Sequence, residues 1–254
     1  VNRDTVRQIV NVIAFIAVVV VNGLATALPL NGQQTGAISD RFAIYFVPAG
    51  YVFSIWGLIY LALLGFTIYQ ALPAQRESPR LRGIGYLFAL SCAANIAWLF
   101  LWHYNVFVLT LIAMGTLLAC LIAIYLRLDI GHTPASTAER WLVNIPFSLY
   151  LGWITVATIA NVTQVLFYIG WNGFAIGPEI WAVIMLAVAV VVAALMARDR
   201  GDIAYLLVLV WAFAGIGVKQ AASSLVSTAA WLATALVALM VVWLLVRRVR
   251  TSAR

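Results

Sequence analysis

The chain has 254 residues; 65% are hydrophobic, 9% are charged, and its mean hydropathy is +1.04. Soluble domains carry about a quarter charged residues, so this composition excludes a soluble globular domain, a disordered chain and a disulfide-stapled secreted module. The net charge of +7 reflects membrane topology rather than a nucleic-acid partner, because the basic residues sit at the ends of apolar runs.

A spanning helix needs about 20 apolar residues. In chain order the runs are 9–30, 50–72, 83–102, 106–126, 141–162 and 180–197. The last stretch, 203–246, is too long for one helix and is interrupted by Lys219, Gln220, Ser223 and Ser224. It reads as two spans, 203–218 and 227–246. The fold class expected is therefore all-α: a polytopic membrane bundle of about eight transmembrane helices.

Charge supports eight. One side of the membrane receives Arg3 and Arg7; Arg76, Arg80 and Arg82; Arg127 and Arg140; Arg198 and Arg200; and Arg247, Arg248, Arg250 and Arg254. Only Arg41 and Lys219 fall on the other. This asymmetry places both termini in the cytoplasm, and a bacterial cytoplasmic membrane is the expected location. A seven-span count would send the C-terminal arginines to the wrong side. Ala25-Thr26-Ala27 resembles a signal-peptidase site, but the apolar run is longer than the roughly 7–15 residues of a signal peptide. An uncleaved first helix is expected.

Two connections, 31–49 and 163–177, exceed the usual 2–8 residues. The second is aromatic, with Phe167, Tyr168, Trp171 and Phe174. It reads equally as an interfacial anchor or a pocket lid. Cys92 and Cys120 lie in separate apolar runs and read as small buried hydrophobes.

The eight acidic residues all fall at span ends or in loops. No P-loop, serine triad or H-E-x-x-H motif is present, which argues against primary active transport. His103 and His132 could ligate haem in principle, but an interfacial role is the preferred reading. Lys219 is expected to snorkel to the interface and Glu179 to sit at a helix start.

The unusual feature is ten tryptophans. Trp141, Trp181 and Trp243 follow the interfacial pattern. Others do not. Trp56 and Tyr60 stand one turn apart on the second span. Asn95, Trp98 and Trp102 share a stripe of the third, and Trp153, Ala157 and Asn161 a stripe of the fifth. Asn95 lies at membrane depth, where an amide needs a partner. Ring faces beside a few polar groups suit a flat apolar ligand. The same stripes also suit bundle core, with Asn95 as interhelical glue, and periodicity alone favours that reading.

These residues resemble the tryptophan-rich sensory protein family, also called translocator protein or peripheral benzodiazepine receptor. The resemblance covers residues 1–165 as a five-helix bundle; 166–254 would add three spans. In "VPAGYVFSIWGLIYL" the matching residues are Pro48, Val52, Phe53, Trp56 and Tyr60. In "NIAWLFLWHYN" they are Asn95 and Trp98, with Trp102 at an aromatic position. In "IPFSLYLGWITVATIAN" they are Pro146, Trp153, Ala157, Thr158 and Asn161. Departures include one missing proline, Tyr51 in place of a tryptophan, and three extra residues between Pro146 and Trp153. Tyr168 has no Lys or Arg within five residues, so the family's sterol motif is missing there; Leu121-Tyr125-Arg127 fits that loose pattern.

The resemblance implies a binding protein for porphyrins and other planar hydrophobic molecules, a tetrapyrrole sensor or transporter rather than an enzyme, with no obligate cofactor and porphyrin or haem as ligand. It nominates Trp56, Tyr60, Asn95, Trp98, Trp102, Trp153, Ala157 and Asn161. The partners expected are the lipid bilayer and a planar small molecule. Two other readings stay open: a homodimer or membrane-complex subunit, using small-residue pairs such as Gly115 with Ala119 and Ala229 with Ala233, and a light-dependent porphyrin-degrading enzyme.

Overall fold

The computed structural model describes residues 2–28 and 30–252; Arg254, one of the cations counted above, lies outside them. Eight apolar helices follow in order: α1 (Arg3–Ala27), α2 (Ile55–Ala71), α3 (Leu87–His103), α4 (Phe107–Arg127), α5 (Ile145–Tyr168), α6 (Pro178–Asp199), α7 (Ile203–Lys219) and α8 (Ser224–Ser252). Six runs, with the 3₁₀ turn Gly50–Ser54 counted ahead of α2, are long and apolar enough to cross a membrane. The other two, α3 and α7, have 17 residues each, the short end of the roughly 17–25 that suffice. The chain is a polytopic helical membrane protein. Among the described residues the only β-pairing is one isolated bridge, Leu30 with Gln33.

Local chemistry sets the helix ends. Asn2 caps α1 by accepting from the Asp4 amide at 3.0 Å. Asp202 caps α7, its Oδ1 accepting from Tyr205 N at 3.1 Å. Pro178 opens α6, where a missing N–H costs nothing. Several boundaries differ from the hydropathy reading. Gly85, at φ +59, ends a short helix Pro79–Ile84, so the third span starts at Leu87 rather than 83. The fifth begins after a π turn, Arg140–Asn144, and continues to Tyr168. Phe167 and Tyr168 thus belong to the helix, and the loop that follows is shorter than expected.

Helices α1, α3, α4, α5 and α2 close a ring, each packed on the next. Helix α7 docks on the outside of α5, and α8 and α6 lie beyond it. The docking is close: a Cβ on Gly152 of α5 would stand 3.1 Å from the Tyr205 carbonyl of α7. The outward stripe of α1, Ile9, Ile13, Ile16, Val20 and Leu24, is exposed, as a lipid-facing stripe must be.

The two ends of the bundle differ in charge. At one end Arg82 pairs with Asp4 and Arg80 with Glu139, Arg200 meets Asp129 at 2.9 Å, and Arg7 donates to the Arg76 carbonyl. At the other end Lys219 pairs with Asp40 at 2.8 Å, so it is tied to the first loop rather than simply snorkelling. Glu179 accepts from Ser223, which ties the start of α6 to that of α8. Asp202 is buried and accepts from Tyr125 of α4 at 2.8 Å and from Ser148 of α5. It joins α7 to the ring.

Candidate functional site

The first loop folds back over the ring. Its short helix Thr35–Ser39 is held by Trp102, whose Nε1 donates to the Thr35 carbonyl at 3.2 Å. Asn31 and Gln33 both donate to the His103 carbonyl. Ile38 is fully buried beside Trp102, Phe107 and Val165. On its far side the loop is fastened to α7: Gln220 donates to the Tyr45 carbonyl at 3.0 Å and Trp211 to that of Val52 at 3.0 Å. The loop is therefore a lid with two anchored edges.

Under the lid the aromatic stripes of three spans converge. Trp56 stacks on Tyr60 with ring centres 5.4 Å apart and planes 19° from parallel. Trp153 meets Trp56 edge-on at 6.1 Å and Phe53 at 5.6 Å. Trp98 and Trp102 stack at 5.1 Å. The spacing read from sequence, one turn between each pair, produces these stacks directly.

The convergence leaves two spaces with a shared wall. A deep chamber of about 70 Å³ is lined by Trp56, Asn95, Trp98, Trp102, Trp153, Ala157 and Asn161. A groove of about 810 Å³ runs between α1, α2, α3 and the lid, lined by Asn22, Gly23, Gly57 and Tyr60 together with Trp56, Asn95 and Trp98. All eight nominated residues thus face one space or the other. Ligand pockets for drug-sized molecules fill roughly 300–1,000 Å³. The groove falls in that range and the chamber does not. Packing ring edge against ring face consumes most of the space between the indoles.

The polar groups divide into satisfied and unsatisfied. Asn95 accepts from Asn22 at 2.8 Å and donates to the Tyr150 hydroxyl at 3.1 Å, bridging α1, α3 and α5. Asn161 accepts from Trp98 Nε1 at 3.3 Å and donates to Thr110 at 2.9 Å. Both act as interhelical ties while lining the site. Trp153 and Gln164 are 2% and 3% exposed and line the chamber. Among the described residues, Trp153 Nε1 and Gln164 Nε2 have no hydrogen-bond partner. A buried donor left unpaired costs about 1–3 kcal/mol, which an acceptor on a bound molecule would recover.

Neither histidine faces these spaces. His103 is buried, with Nδ1 donating to the Leu99 carbonyl at 2.8 Å; that leaves Nε2 to accept from Thr35 at 3.3 Å. It is a lid anchor, not an interfacial side chain. His132 lies at the arginine-rich end beside Asp129. Among the described residues no cluster of three His, Cys, Asp or Glu could hold a metal ion. The loose sterol pattern also moves: Leu121 and Tyr125 are buried, away from lipid. Gly115 has nothing within 4 Å of its Cβ position, so it makes no close helix contact among the described residues.

Sequence reasoning missed Asn22, Thr35, Ser39, Phe53 and Gln164 as lining residues. Gln164 was legible, since it continues the stripe of Trp153, Ala157 and Asn161. The lid residues were not, because a loop has no periodicity to read.

A family model described as TSPO-like protein matches residues 8–243, through seven spans and into the eighth. No curated protein and no solved structure matches the chain.

Proposed function

This chain belongs to the TSPO-like family, and on that premise we propose that it is a membrane binding protein for porphyrin-like planar hydrophobic molecules, acting as a tetrapyrrole sensor or transporter. The observation that carries this reading is the wall of Trp56, Asn95 and Trp98 shared by the groove and the chamber. A macrocycle fits the groove by volume and not the chamber. It would lie along α2 and α3, where ring faces offer stacking worth about 0.5–1.5 kcal/mol per pair beyond burial. The free donors on Trp153 and Gln164 would receive an oxygen substituent that reaches past the wall. Among the described residues, the charged groups lining these spaces are Asp40 and Lys219, paired with each other at the groove. That supports binding over acid–base transformation. No histidine is placed to ligate iron, so haem would be held by its ring alone.

The arginine-rich end, where α1 starts and α8 ends, is assigned to the cytoplasm of a bacterial cell, following the positive-inside bias. Titration of the purified protein with protoporphyrin tests the function. Saturable quenching of tryptophan fluorescence is expected. A response that never saturates, as for pigment dissolved in the micelle, overturns the reading.

A further inference from the structure

Helices α5 and α6 are consecutive, yet α6 packs on α8 and α7 rather than on α5. The opening between them is a cleft of about 580 Å³, separate from the tryptophan site. Ile159, Val162 and Leu166 of α5 form one wall, and Ala182 and Met185 of α6 the other. Tyr45 of the lid closes one side, and Trp171 and Trp181 cover the end.

The roof is built at a conformational cost. Gly170, Gly173, Phe174 and Ala175 all have positive φ, between 54° and 71°. For the two non-glycine residues this is a strained conformation. It lets Trp171 fold onto Trp181, with ring centres 5.3 Å apart, while Trp181 Nε1 donates to the Gly173 carbonyl at 2.9 Å. Trp181 is thus a roof beam rather than only an interfacial anchor.

The lining decides what can fill the space. None of the lining residues is charged. The hydroxyls of Thr158 and Thr163 are turned back onto the Ile154 and Ile159 carbonyls of their own helix. The other polar side chains, those of Tyr45, Trp171 and Asn172, belong to the lid and the roof, so the α5 and α6 walls offer water few of the two to four partners it needs. An ionised group would find no counter-charge, so a charged headgroup stays outside. Val162 and Phe167, 39% and 49% exposed, carry the cleft without a break into the lipid-facing surface. Hydrocarbon is the remaining occupant, and the bilayer supplies it at the highest local concentration.

We propose that the cleft between α5 and α6 is a binding site for one acyl chain of a bilayer phospholipid. The chain enters sideways from the membrane and lies along the aliphatic walls below the Trp171–Trp181 roof, leaving its headgroup outside the cleft.

The test is native mass spectrometry after reconstitution in vesicles of phosphatidylethanolamine and phosphatidylglycerol, followed by extraction in a delipidating detergent. A parallel sample contains cholesterol. One retained phospholipid per protein is expected. Val162→Trp and Met185→Trp, which fill the cleft from opposite walls, should each lose it while keeping the melting temperature and the porphyrin response of the wild type. The proposal is overturned by equal retention in all three proteins, by no retention in the wild type, or by cholesterol held in place of phospholipid.

Discussion

The amide of Ala49, at the end of the lid, donates to the carbonyl of Gly215 in α7 at 3.1 Å. The contact requires a glycine. A Cβ at position 215 would stand 2.2 Å from Val52 Cγ2 and 3.1 Å from Pro48 Cβ. With the bonds from Gln220 and Trp211, and the ion pair of Lys219 with Asp40, α7 holds one whole edge of the lid. Helix α7 therefore contributes to the site without lining its aromatic chamber.

Gly215→Ala should lower stability, against the intrinsic preference of a helix. In an open helix interior the same change gains about 1 kcal/mol. Here the overlap with Val52 forces α7 and the lid apart, at about 1–3 kcal/mol. Gly115→Ala in α4, with open space at its Cβ position, serves as the control. Thermal melts in detergent should show the first falling and the second unchanged or slightly raised.

Asp202 offers a test of how α7 is joined to the ring. Replacing it with Leu strands the buried hydroxyls of Tyr125 and Ser148, at about 1–3 kcal/mol for each stranded group. Tyr125→Phe removes one partner and leaves Asp202 its bonds to Ser148 and to Tyr205 N. Its expected cost is about 1 kcal/mol. Melting temperatures should rank wild type, then Tyr125→Phe, then Asp202→Leu.

Gln164→Leu should move stability and binding in opposite directions. It removes a buried amide donor that has no partner among the described residues, so the free protein gains up to about 1 kcal/mol. It also removes a donor available to a ligand oxygen, so affinity for protoporphyrin should fall about tenfold, equivalent to 1.4 kcal/mol. A melt combined with a binding titration checks both; a loss of stability together with unchanged affinity contradicts the role given to the amide.

The arginine-rich end should be sensitive to acid. Hydrogen bonds from the Thr133 hydroxyl, and next from the Arg200 guanidinium, hold the Asp129 carboxyl below the usual aspartate range. A depressed folded-state value stabilises the protein above the unfolded pKa of about 3.9, and that contribution disappears as the pH falls through the folded value. The melting temperature of the wild type should therefore fall more steeply below about pH 4 than that of Asp129→Asn. Parallel curves would contradict the link.

Eight apolar segments were legible in the sequence because lipid demands long uncharged runs, and Lys219 to Ser224 marked the break in the last of them. Their ends were less legible. The π turn before Ile145 and the positive φ of Gly85 are backbone events that hydropathy does not record. The aromatic stripes were readable because helical period places Trp56 over Tyr60 and Trp98 beside Trp102. How much room they would leave was not readable, since that depends on edge-to-face packing across helices far apart in sequence. Nor was the role of α7: the contacts of Gly215 with Pro48 and Val52 join residues more than a hundred and fifty positions apart.

The most direct measurement is protoporphyrin titration of the wild type, of Trp56→Phe combined with Trp153→Phe, and of Trp243→Phe. Trp243 lies exposed on α8 beside Arg247 and outside the site. If the rings of α2, α3 and α5 bound the guest, quenching saturates in the wild type and in Trp243→Phe, while the double variant binds at least about fivefold more weakly. Indistinguishable curves for all three proteins would contradict the account.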